Sequence, residues 1–518
     1  MDRTAGDALY SRFLRGLARS PHGVAVRAAA ESVTYEQAHQ LALLWAGALV
    51  RTGPKVVGVL AVKGITAYAG ILAALYAGAA VVPLRPDFPL VRTRQMLDAS
   101  GATALVADDR GAAALPSLLA DRTGIAVLVP GGGWPASIAA DAGSALSRPC
   151  AVAPADPACV LFTSGSTGRP KGVVITHGST EHYFRQLDAR YDFAPDDVFS
   201  QTFDLNFDCA WFDMFSAWGA GAQLLAVPQY AYRDLPAFVG EHRVTVWFST
   251  PTTIALVRRT GRLGADAMPG LRWSLFAGEA LQCRDAADWQ RAAPASALEN
   301  LYGPTELTIT IAAHRWSGEW SPRWAVNGVV PIGALHDGHE HVLLDSDGQP
   351  AADEGELCIT GPQMSPGYLD PGDDCGRFVQ RDGCRWYLTG DRVRRAGNGE
   401  LAYLGRLDSQ VQVQGWRLEL AEVEHALRTC APVRDAVAVG LPAGGTTEVV
   451  VFYTGAPVPS VEFARRLRQV LPEGVIPRHY HQVDEFPLNS NRKVDRSWLA
   501  LRARELHSPP CNQSVKEV

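Results

Sequence analysis

The feature that most constrains the fold is a segment rich in glycine and hydroxyl side chains, residues 161–172, between two apolar runs. Residues 159–162 lead into it and residues 173–175 lead out, which predicts a strand, a loop and a strand. The loop holds three glycines, four hydroxyl residues and two cations. Glycine lets backbone N–H groups approach an anion, hydroxyls donate hydrogen bonds, and the cations supply charge. The segment therefore predicts a phosphate-binding loop.

The loop is not a Walker motif, because Gly165 and Gly168 are too close together and no helix signal follows. A flexible linker is the alternative for any stretch of this composition. The two flanking strands favour the phosphate loop.

The order of residues 163–172 resembles the phosphate-loop signature of the adenylate-forming (ANL) superfamily, which includes acyl-CoA synthetases, luciferases and adenylation domains of nonribosomal peptide synthetases. The resemblance spans residues 33–496. It implies an α/β fold with a large N-terminal domain of αβ subdomains plus a β-barrel-like part, and a small mobile C-terminal α+β domain. It also implies that ATP is bound by Thr163, Ser164, Gly165, Ser166, Thr167, Gly168 and Lys171.

A chain of 518 residues is too long for one core. We predict a core domain at 1–405, a lid domain at 406–500 and a disordered tail at 501–518. The net charge of -6 and the absence of Lys/Arg runs argue against a nucleic-acid partner. Nine scattered cysteines without C-x-x-C spacing indicate reduced thiols, as in a cytoplasmic protein.

Residues 64–84 carry no charge and are long enough to span a membrane. They are rich in alanine and glycine and are interrupted by Pro83, so we predict a buried helix at 68–77 and a buried strand at 79–82 instead. No apolar signal-peptide core follows the first arginines. We therefore expect no membrane partner.

Apolar runs at 56–62, 104–107 and 125–129 alternate with helical patterns, which favours parallel sheets. Short alternating runs between 320 and 402 indicate antiparallel strands. A helix at 418–427, two strands and a helix at 461–470 predict a small α+β unit.

A second motif, Asn-Leu-Tyr-Gly-Pro-Thr-Glu at 300–306, contains a Gly-Pro turn that presents Thr305 and Glu306 together. Carboxylate and hydroxyl oxygens suit Mg²⁺. A capped turn with a solvated glutamate is the alternative. The resemblance implies that Glu306 holds Mg²⁺, Thr305 contacts the α-phosphate and Tyr302 stacks on adenine.

Residues 387–391 resemble the ribose-binding motif of the superfamily, with Asp391 accepting hydrogen bonds from the ribose hydroxyls. A lone Thr-Gly-Asp would be only a turn signal. By the same resemblance Arg406 is a second nucleotide contact and Asp408 is the hinge between the domains.

Residues 489–496 resemble the C-terminal catalytic-lysine motif, with Arg492 where glycine is usual. Lys493 is the predicted catalytic residue, and one preorganised donor of this kind contributes about 10²–10³ in rate. The alternative is a solvated cation in a basic turn.

The substrate class depends on Asp208, which is flanked by aromatic residues including Phe207 and Trp211. A carboxylate in such surroundings needs a partner, and a substrate ammonium would supply one. A cap on the following helix is the alternative. The resemblance implies that this Asp binds the α-amine of an amino acid.

The resemblance also implies a substrate pocket, which carries no second acid. Its residues are Asp208, Cys209, Phe212, Phe248, Leu275, Ala277, Leu301, Ile309, Thr310 and Lys493. This composition excludes acidic, basic and amide side chains. It is similar to prolyl-activating stand-alone members, so we predict L-proline, with alanine or another small apolar amino acid as the alternative.

Together these motifs predict a ligase that forms an aminoacyl-AMP from ATP and passes the acyl group to the phosphopantetheine thiol of a separate carrier protein, in natural-product (antibiotic) biosynthesis. Because no carrier segment follows the lysine motif, we expect a free-standing enzyme, with a small activator protein as a further candidate partner. An acyl- or aryl-CoA synthetase is an alternative that Asp208 disfavours. A catalytically dead nucleotide-binding scaffold is disfavoured because Lys493, Glu306 and Asp391 are all retained.

Overall fold

The computed structural model describes residues 8–132, 134–163, 169–407, 410–443, 446–487 and 494–507. These residues form two compact units. The first contains the described residues up to 163 and residues 170–407, and the second contains Arg169 and the described residues from 410 to 507. The division after Leu407 lies two residues beyond the boundary predicted from the sequence.

Helices and strands alternate along much of the first unit. The helices are α1 Ser11–Arg19, α2 Tyr35–Val50, α3 Ile65–Tyr76, α4 Leu90–Ser100, α5 Asp109–Leu118, α6 His177–Arg190, α7 Asp208–Ala220, α8 Leu235–Glu241, α9 Thr252–Arg259, α10 Cys283–Ala292, α11 Ser321–Trp324, α12 Leu420–Arg428, α13 Ser460–Leu467 and α14 Arg496–His507. The strands are β1 Val24–Ala28, β2 Glu31–Thr34, β3 Val56–Leu60, β4 Ala80–Leu84, β5 Ala104–Ala107, β6 Ala126–Leu128, β7 Pro157–Thr163, β8 Lys171–Thr176, β9 Val198–Gln201, β10 Gln223–Ala226, β11 Val246–Ser249, β12 Trp273–Phe276, β13 Ala297–Tyr302, β14 Ala312–Arg315, β15 Ala334–Leu335, β16 Glu340–Leu344, β17 Pro350–Ala351, β18 Glu354–Thr360, β19 Phe378–Arg381, β20 Cys384–Arg395, β21 Leu401–Arg406, β22 Gln410–Val413, β23 Trp416–Glu419, β24 Val433–Ala443, β25 Thr446–Gly455 and β26 His479–Gln482.

The largest sheet of the first unit has the strand order β15-β14-β13-β12-β11-β9-β10-β1-β2. Its strands from β13 to β1 pair in parallel, and antiparallel strands close both edges. Strands such as β11 and β12 are buried at every position, as expected for a parallel sheet covered on both faces. The carboxyl ends of these parallel strands share one edge, where open α/β sheets bind their ligands.

The second sheet of this unit has the order β6-β5-β3-β4-β7-β8 and is parallel except for the antiparallel pair β7–β8. Helix α3 packs on β3, β4 and β5 and is buried from Ala67 to its end. The predicted buried helix and strand within 64–84 are therefore confirmed. Among the described helices, none is both long and apolar enough to cross a membrane.

A six-stranded antiparallel sheet with the order β17-β16-β18-β20-β19, and β21 paired to β20, completes the first unit. It lies within the region where the sequence predicted antiparallel strands. The described cysteines are free thiols.

The second unit contains the hairpin β22–β23 and a sheet in which β24 pairs antiparallel and β26 pairs parallel with β25. Helices α12 and α13 share one apolar core with β24 and β25, and α14 packs on another part of β24. This is the α+β unit that the sequence predicted.

The prediction of disorder from residue 501 is wrong for residues 501–507, which continue helix α14. Leu499 and Ala503, one helical turn apart, are fully buried with Val437 and Val439 of β24. Only these two residues of α14 are fully buried, so the apolar period is too weak to recognise in the sequence. Residues 508–518 lie outside the described residues.

We expect Ala503→Asp to loosen the second unit, because it places a charge in a fully buried position and should lower the free energy of unfolding by about 2–4 kcal/mol. Hydrogen exchange of the β24 amides measures the effect. Arg504→Asp is the control, since Arg504 is exposed on the same helix. Equal exchange rates in the two variants would contradict the assigned burial of Ala503.

Candidate active site

Four of the predicted pocket residues lie at the carboxyl-end edge of the largest sheet. Phe248 on β11 and Leu275 on β12 are partners across the parallel pair, and Leu301 lies near the end of β13. Ala277 follows β12 directly. These side chains are at most 3% exposed, so they form an apolar wall.

Helix α7 brings the next group to this wall. The Phe212 ring lies 4.8 Å from the Phe248 ring in an edge-to-face arrangement, and Phe203 contacts Phe248 at the same distance. Cys209, on the first turn of α7, is buried in the same core. Residues far apart in the sequence are thus packed in one apolar cluster.

Asp208 is the first residue of α7 and the acid of this group. Burial raises the pKa of Asp208 to about 6, although hydrogen bonds from Thr305 and Cys209 favour the ionised form, and the nearby Glu306 charge raises the pKa further. The residue at the helix cap is Phe207, and no side chain caps that end. Asp208 is therefore not the cap residue itself, although its carboxylate accepts a hydrogen bond from the Cys209 N–H in the first turn of α7.

The Tyr-Gly-Pro-Thr-Glu motif leaves β13 and makes a short 3-10 turn at Thr305–Leu307. The chain then folds back, and the Ile311 N–H donates to the Tyr302 carbonyl at 2.6 Å. A Cβ on Gly303 would lie 2.6 Å from the Thr310 Cα and 2.7 Å from the Ile309 carbonyl oxygen. Only glycine allows this close approach, which places Ile309 and Thr310 beside the motif.

Glu306 is 1% exposed and accepts a hydrogen bond from the Tyr368 hydroxyl. The Lys171 ammonium lies 5.7 Å from the centre of the Tyr368 ring and 3.5 Å from the Asp373 carboxylate. The structure thus brings together the predicted metal ligand and one of the predicted phosphate contacts, with Tyr368 between them.

Asp391 and Arg406 are partners on the antiparallel strands β20 and β21. Arg406 Nη1 lies 2.9 Å from Asp391 Oδ1 and 2.8 Å from the Thr389 carbonyl oxygen. The Tyr302 hydroxyl donates to Asp391 Oδ2 at 2.5 Å. Burial, and then the Asp391 charge, raise the pKa of Tyr302 well above its usual range, so this hydroxyl remains a donor. The three residues predicted to contact the nucleoside lie together.

The remaining predicted site residues are placed as follows. Thr163 ends β7, opposite Lys171 in the register. Ser164, Gly165, Ser166, Thr167, Gly168, the hinge residue Asp408 and the catalytic Lys493 lie outside the described residues. Their roles stay predictions.

Three residues of this region were not found from the sequence. Tyr368 donates to Glu306, the Tyr183 hydroxyl lies 3.0 Å from Thr310 Oγ1, and the Gln363 amide contacts the carbonyls of residues 307, 308 and 310. Each of these contacts joins residues more than 50 positions apart. The segment 367–369 matches the superfamily pattern only loosely, and such a glycine-containing turn predicts no more than a structural role.

Comparison with known proteins identifies the class. The profile described as AMP-binding enzyme matches residues 13–369. The chain therefore belongs to the AMP-binding enzyme family within the adenylate-forming superfamily, whose members use ATP, and the predicted family and fold are confirmed.

Several individual proteins are similar to this chain in sequence. The L-proline--[L-prolyl-carrier protein] ligase of Pseudomonas fluorescens is 31% identical to this chain, and the match covers 95% of this chain and 98% of that protein. The L-proline--[L-prolyl-carrier protein] ligase of Streptomyces coelicolor is 33% identical, and the match covers 84% of each chain. Phenyloxazoline synthase MbtB of Mycobacterium sp. is 31% identical, and the chain spans 42% of its length.

Two solved structures are also similar. The crystal structure of IdnL7 is 58% identical, with a TM-score of 0.77 over 96% of this chain and 99% of that one. The adenylation domain AlmE of Vibrio cholerae, in complex with glycyl-adenosine-5'-phosphate, is 27% identical, with a TM-score of 0.85 over 96% of this chain and 98% of that one. The match over nearly the whole length supports the ANL fold.

The pKa of Asp208 leads to a stability prediction. Because the folded-state pKa is about 6 and the ordinary value is 3.8, the folded protein binds this proton more tightly than the unfolded chain. Stability therefore falls as the pH rises through 6. We expect Asp208→Asn to raise the free energy of unfolding at pH 8 by up to about 3 kcal/mol, with the gain vanishing towards pH 4. Denaturation at several pH values measures this.

Asp188→Asn is the control of opposite sign. Burial by itself would raise the pKa of Asp188, but hydrogen bonds from Arg15 and Arg12 outweigh it and lower the pKa to about 2. The stabilising contribution of Asp188 is therefore present above pH 4 and is lost as the pH falls through 2. This variant should be less stable than the parent at pH 8. A destabilised Asp208→Asn protein at pH 8 would contradict the unfavourable burial of Asp208.

Proposed function

We propose that this chain activates a small apolar amino acid, with L-proline as the first candidate, as its aminoacyl-AMP, and then loads it onto the phosphopantetheine thiol of a separate carrier protein. The observation that supports this most is the Asp208 side chain, which lies at the start of α7 next to the buried Cys209 and has a pKa raised by burial. A substrate ammonium is the partner that would restore its favourable ionisation. The two prolyl ligases that share 31% and 33% identity with the chain support proline.

In the first step, a carboxylate oxygen of the amino acid bonds to the α-phosphorus of ATP. The bond from that phosphorus to the bridging oxygen breaks, and pyrophosphate leaves with the electron pair. The amino-acid carboxylate is already ionised at neutral pH, so no general base is needed. The role of the protein is to position the reactants and to stabilise developing charge, which we assign to Thr305 and Lys493.

The nucleoside contacts follow from the second cluster of the site. Asp391 would accept hydrogen bonds from the ribose, with Arg406 beside it. Tyr302, whose hydroxyl is held by Asp391, would offer its ring face to adenine. Thr163, Lys171 and residues 164–168 would contact the phosphates.

Magnesium fits the acid at position 306. Mg²⁺ is commonly held by one or two carboxylates together with substrate phosphates, and Glu306 is a buried carboxylate on the turn that also carries Thr305. Bound there, the ion would neutralise charge on the triphosphate. Tyr368 orients the carboxylate through its hydroxyl.

In the second step, the thiolate of the phosphopantetheine arm attacks the carbonyl carbon of the aminoacyl-AMP. The C–O bond to the phosphate breaks, AMP leaves, and a thioester forms. Rotation about Asp408 between the two steps is part of this proposal, as is the use of Lys493 in the first step only. A small activator protein is a further candidate partner.

The composition of the pocket limits the substrate side chain. Phe212, Phe248, Leu275 and Ile309 supply bulk and no charge, and Thr310 has its hydroxyl directed at Tyr183. An ionic side chain would be buried there without a partner. Alanine and other small apolar amino acids remain the alternative to proline.

An acyl- or aryl-CoA synthetase would use the same nucleotide residues. A fatty or aromatic acid has no ammonium, however, and would leave Asp208 in its unfavourable surroundings. This difference makes amino-acid activation the better proposal.

We expect strong ATP–pyrophosphate exchange with proline or alanine, and almost none with glutamate, lysine, benzoate or octanoate. Asp208→Asn should lower the rate of amino-acid-dependent exchange at least about tenfold, since a charge-assisted hydrogen bond contributes about 1.5–3 kcal/mol. Asp285→Asn is a control that removes a buried acid of α10. Strong exchange with lysine, or full activity of Asp208→Asn, would refute the assignment.

Lys493→Ala tests the two-step scheme. We expect it to lower adenylate formation by at least about 10²-fold while thioester formation from a preformed aminoacyl-AMP stays within a fewfold of the parent. Single-turnover assays of each step on a holo-carrier protein provide the measurement. Arg492→Ala, next to it, is the control and should change neither step strongly. Equal losses in both steps would contradict a role confined to adenylation.

A further inference from the structure

Two consecutive residues of the predicted pocket segment have a backbone conformation that side chains rarely adopt. Thr308 has φ 58° and Ile309 has φ 72°, both in the left-handed region. Both are β-branched, the type of residue that tolerates this region least. Such a conformation persists only where the surroundings enforce it. Something outside the segment must therefore hold it.

Gln363 provides that support. Its side-chain N–H groups donate to the carbonyl oxygens of Leu307 at 3.1 Å, Thr308 at 3.3 Å and Thr310 at 2.9 Å. The Thr308 hydroxyl in turn donates to the backbone carbonyl oxygen of Gln363 at 2.6 Å, a bond that does not involve the carboxamide. Gln363 is fully buried, so water does not compete for these bonds.

The other end of the carboxamide is fixed as well. His336 Nδ1 lies 3.1 Å from Gln363 Oε1, and the backbone N–H of His336 donates to the Ile311 carbonyl oxygen at 2.8 Å. Burial lowers the pKa of His336 to about 4, so the ring is neutral at pH 7 and carries its proton on Nδ1, since Oε1 can only accept. Three carbonyl oxygens on one side and an N–H on the other leave the amide one orientation.

The held segment leads directly into the predicted substrate pocket. Ile309 and Thr310 are two of its residues, and the Thr310 hydroxyl lies 3.0 Å from the hydroxyl of Tyr183. If residues 308 and 309 returned to ordinary backbone angles, both pocket side chains would be redirected and the Thr310–Tyr183 bond would break. The geometry of the pocket is therefore coupled to a residue that does not itself belong to it.

We propose that Gln363 is a positioning residue that sets amino-acid selectivity by holding the left-handed Thr308–Ile309 segment. This role rests on the proposed amino-acid activation. Its test compares the preferred substrate with the next one, and so does not depend on which amino acid is preferred. Gln363 acts through the backbone of residues 307–310 and needs no contact with the substrate.

Gln363→Met keeps the length of the side chain and removes every hydrogen bond of the carboxamide. We expect the KM for the preferred amino acid to rise at least about tenfold, and the ratio of kcat/KM between the preferred and the next amino acid to fall by a similar factor, because small displacements in a site have large effects. The KM for ATP should change less than about twofold. Pyrophosphate exchange with each substrate varied in turn measures all three values.

Gln290→Met is the matched control. The Gln290 amide also donates to two carbonyl oxygens, those of Ala293 and Ser296, but in helix α10 and the turn after it. This variant should leave the selectivity ratio unchanged even if it lowers the melting temperature. This control therefore separates the effect of losing any hydrogen-bonded carboxamide from the specific effect of losing that of Gln363.

Thr308→Gly supplies a second test that does not depend on the stability of Gln363→Met alone. Glycine adopts the left-handed region readily, so the segment should need Gln363 less in this background. We expect the double variant to regain most of the selectivity that Gln363→Met loses. A selectivity ratio that Gln363→Met leaves unchanged, a KM for ATP that rises as much as the KM for the amino acid, or a double variant with simply additive losses would each overturn the inference.

If the unmodified enzyme activates no amino acid, the proposed function itself fails. If it activates one and Gln363→Met keeps the same selectivity, only the role of Gln363 fails. The two failures are thus distinguishable in the same experiment.

Discussion

The burial of the Asp208 carboxylate is the constraint on which the arrangement of the rest of the site depends. Its pKa of about 6 means that burial disfavours the charge of this acid, which is nevertheless mostly ionised at pH 7. Thr305, on the turn after β13, donates to that acid and also lies next to Glu306. The predicted amine contact and the predicted phosphate contacts are thus joined by a single turn, which brings the two reacting groups of an adenylation reaction close together.

The same helix carries a second buried acid with different surroundings. Burial raises the pKa of Asp213 well above its usual range, and Lys63 is the nearby charge that opposes this. The Lys63 ammonium donates to the carbonyls of Gln201 and Thr202, at the end of β9, so this base secures the chain just before α7. Asp208 has no such cation among its described partners. Of the two acids on α7, Asp208 is therefore the one suited to receive a cation from outside.

The sequence predicted those parts of the molecule in which neighbouring residues carry the signal. The apolar run at 56–62 became the central strand β3, and the uncharged stretch at 64–84 became a buried helix and strand. The motifs predicted Glu306, Asp391 and Asp208 as site residues, because each stands in a short local pattern. Tyr368 and Gln363 could not be assigned, since their effects come from contacts with residues about 50–60 positions away, which no local pattern records. Helix α14 was missed because only two of its residues, Leu499 and Ala503, are fully buried against the sheet.

The partners of the three acids also match the charges that we propose each one meets. Glu306 accepts from the neutral Tyr368 hydroxyl, a bond that leaves its negative charge in place for a metal ion. Asp391 is paired with Arg406, so its charge is largely balanced and its remaining lone pairs suit the uncharged hydroxyls of a ribose. Asp208 is held by the neutral Thr305 hydroxyl and the Cys209 backbone, which suits an ammonium. A cation beside Asp208 would weaken its affinity for an ammonium, and the loss of Arg406 beside Asp391 would leave a charge that uncharged ribose hydroxyls do not balance. The surrounding residues therefore determine the role of each carboxylate as much as the carboxylate itself.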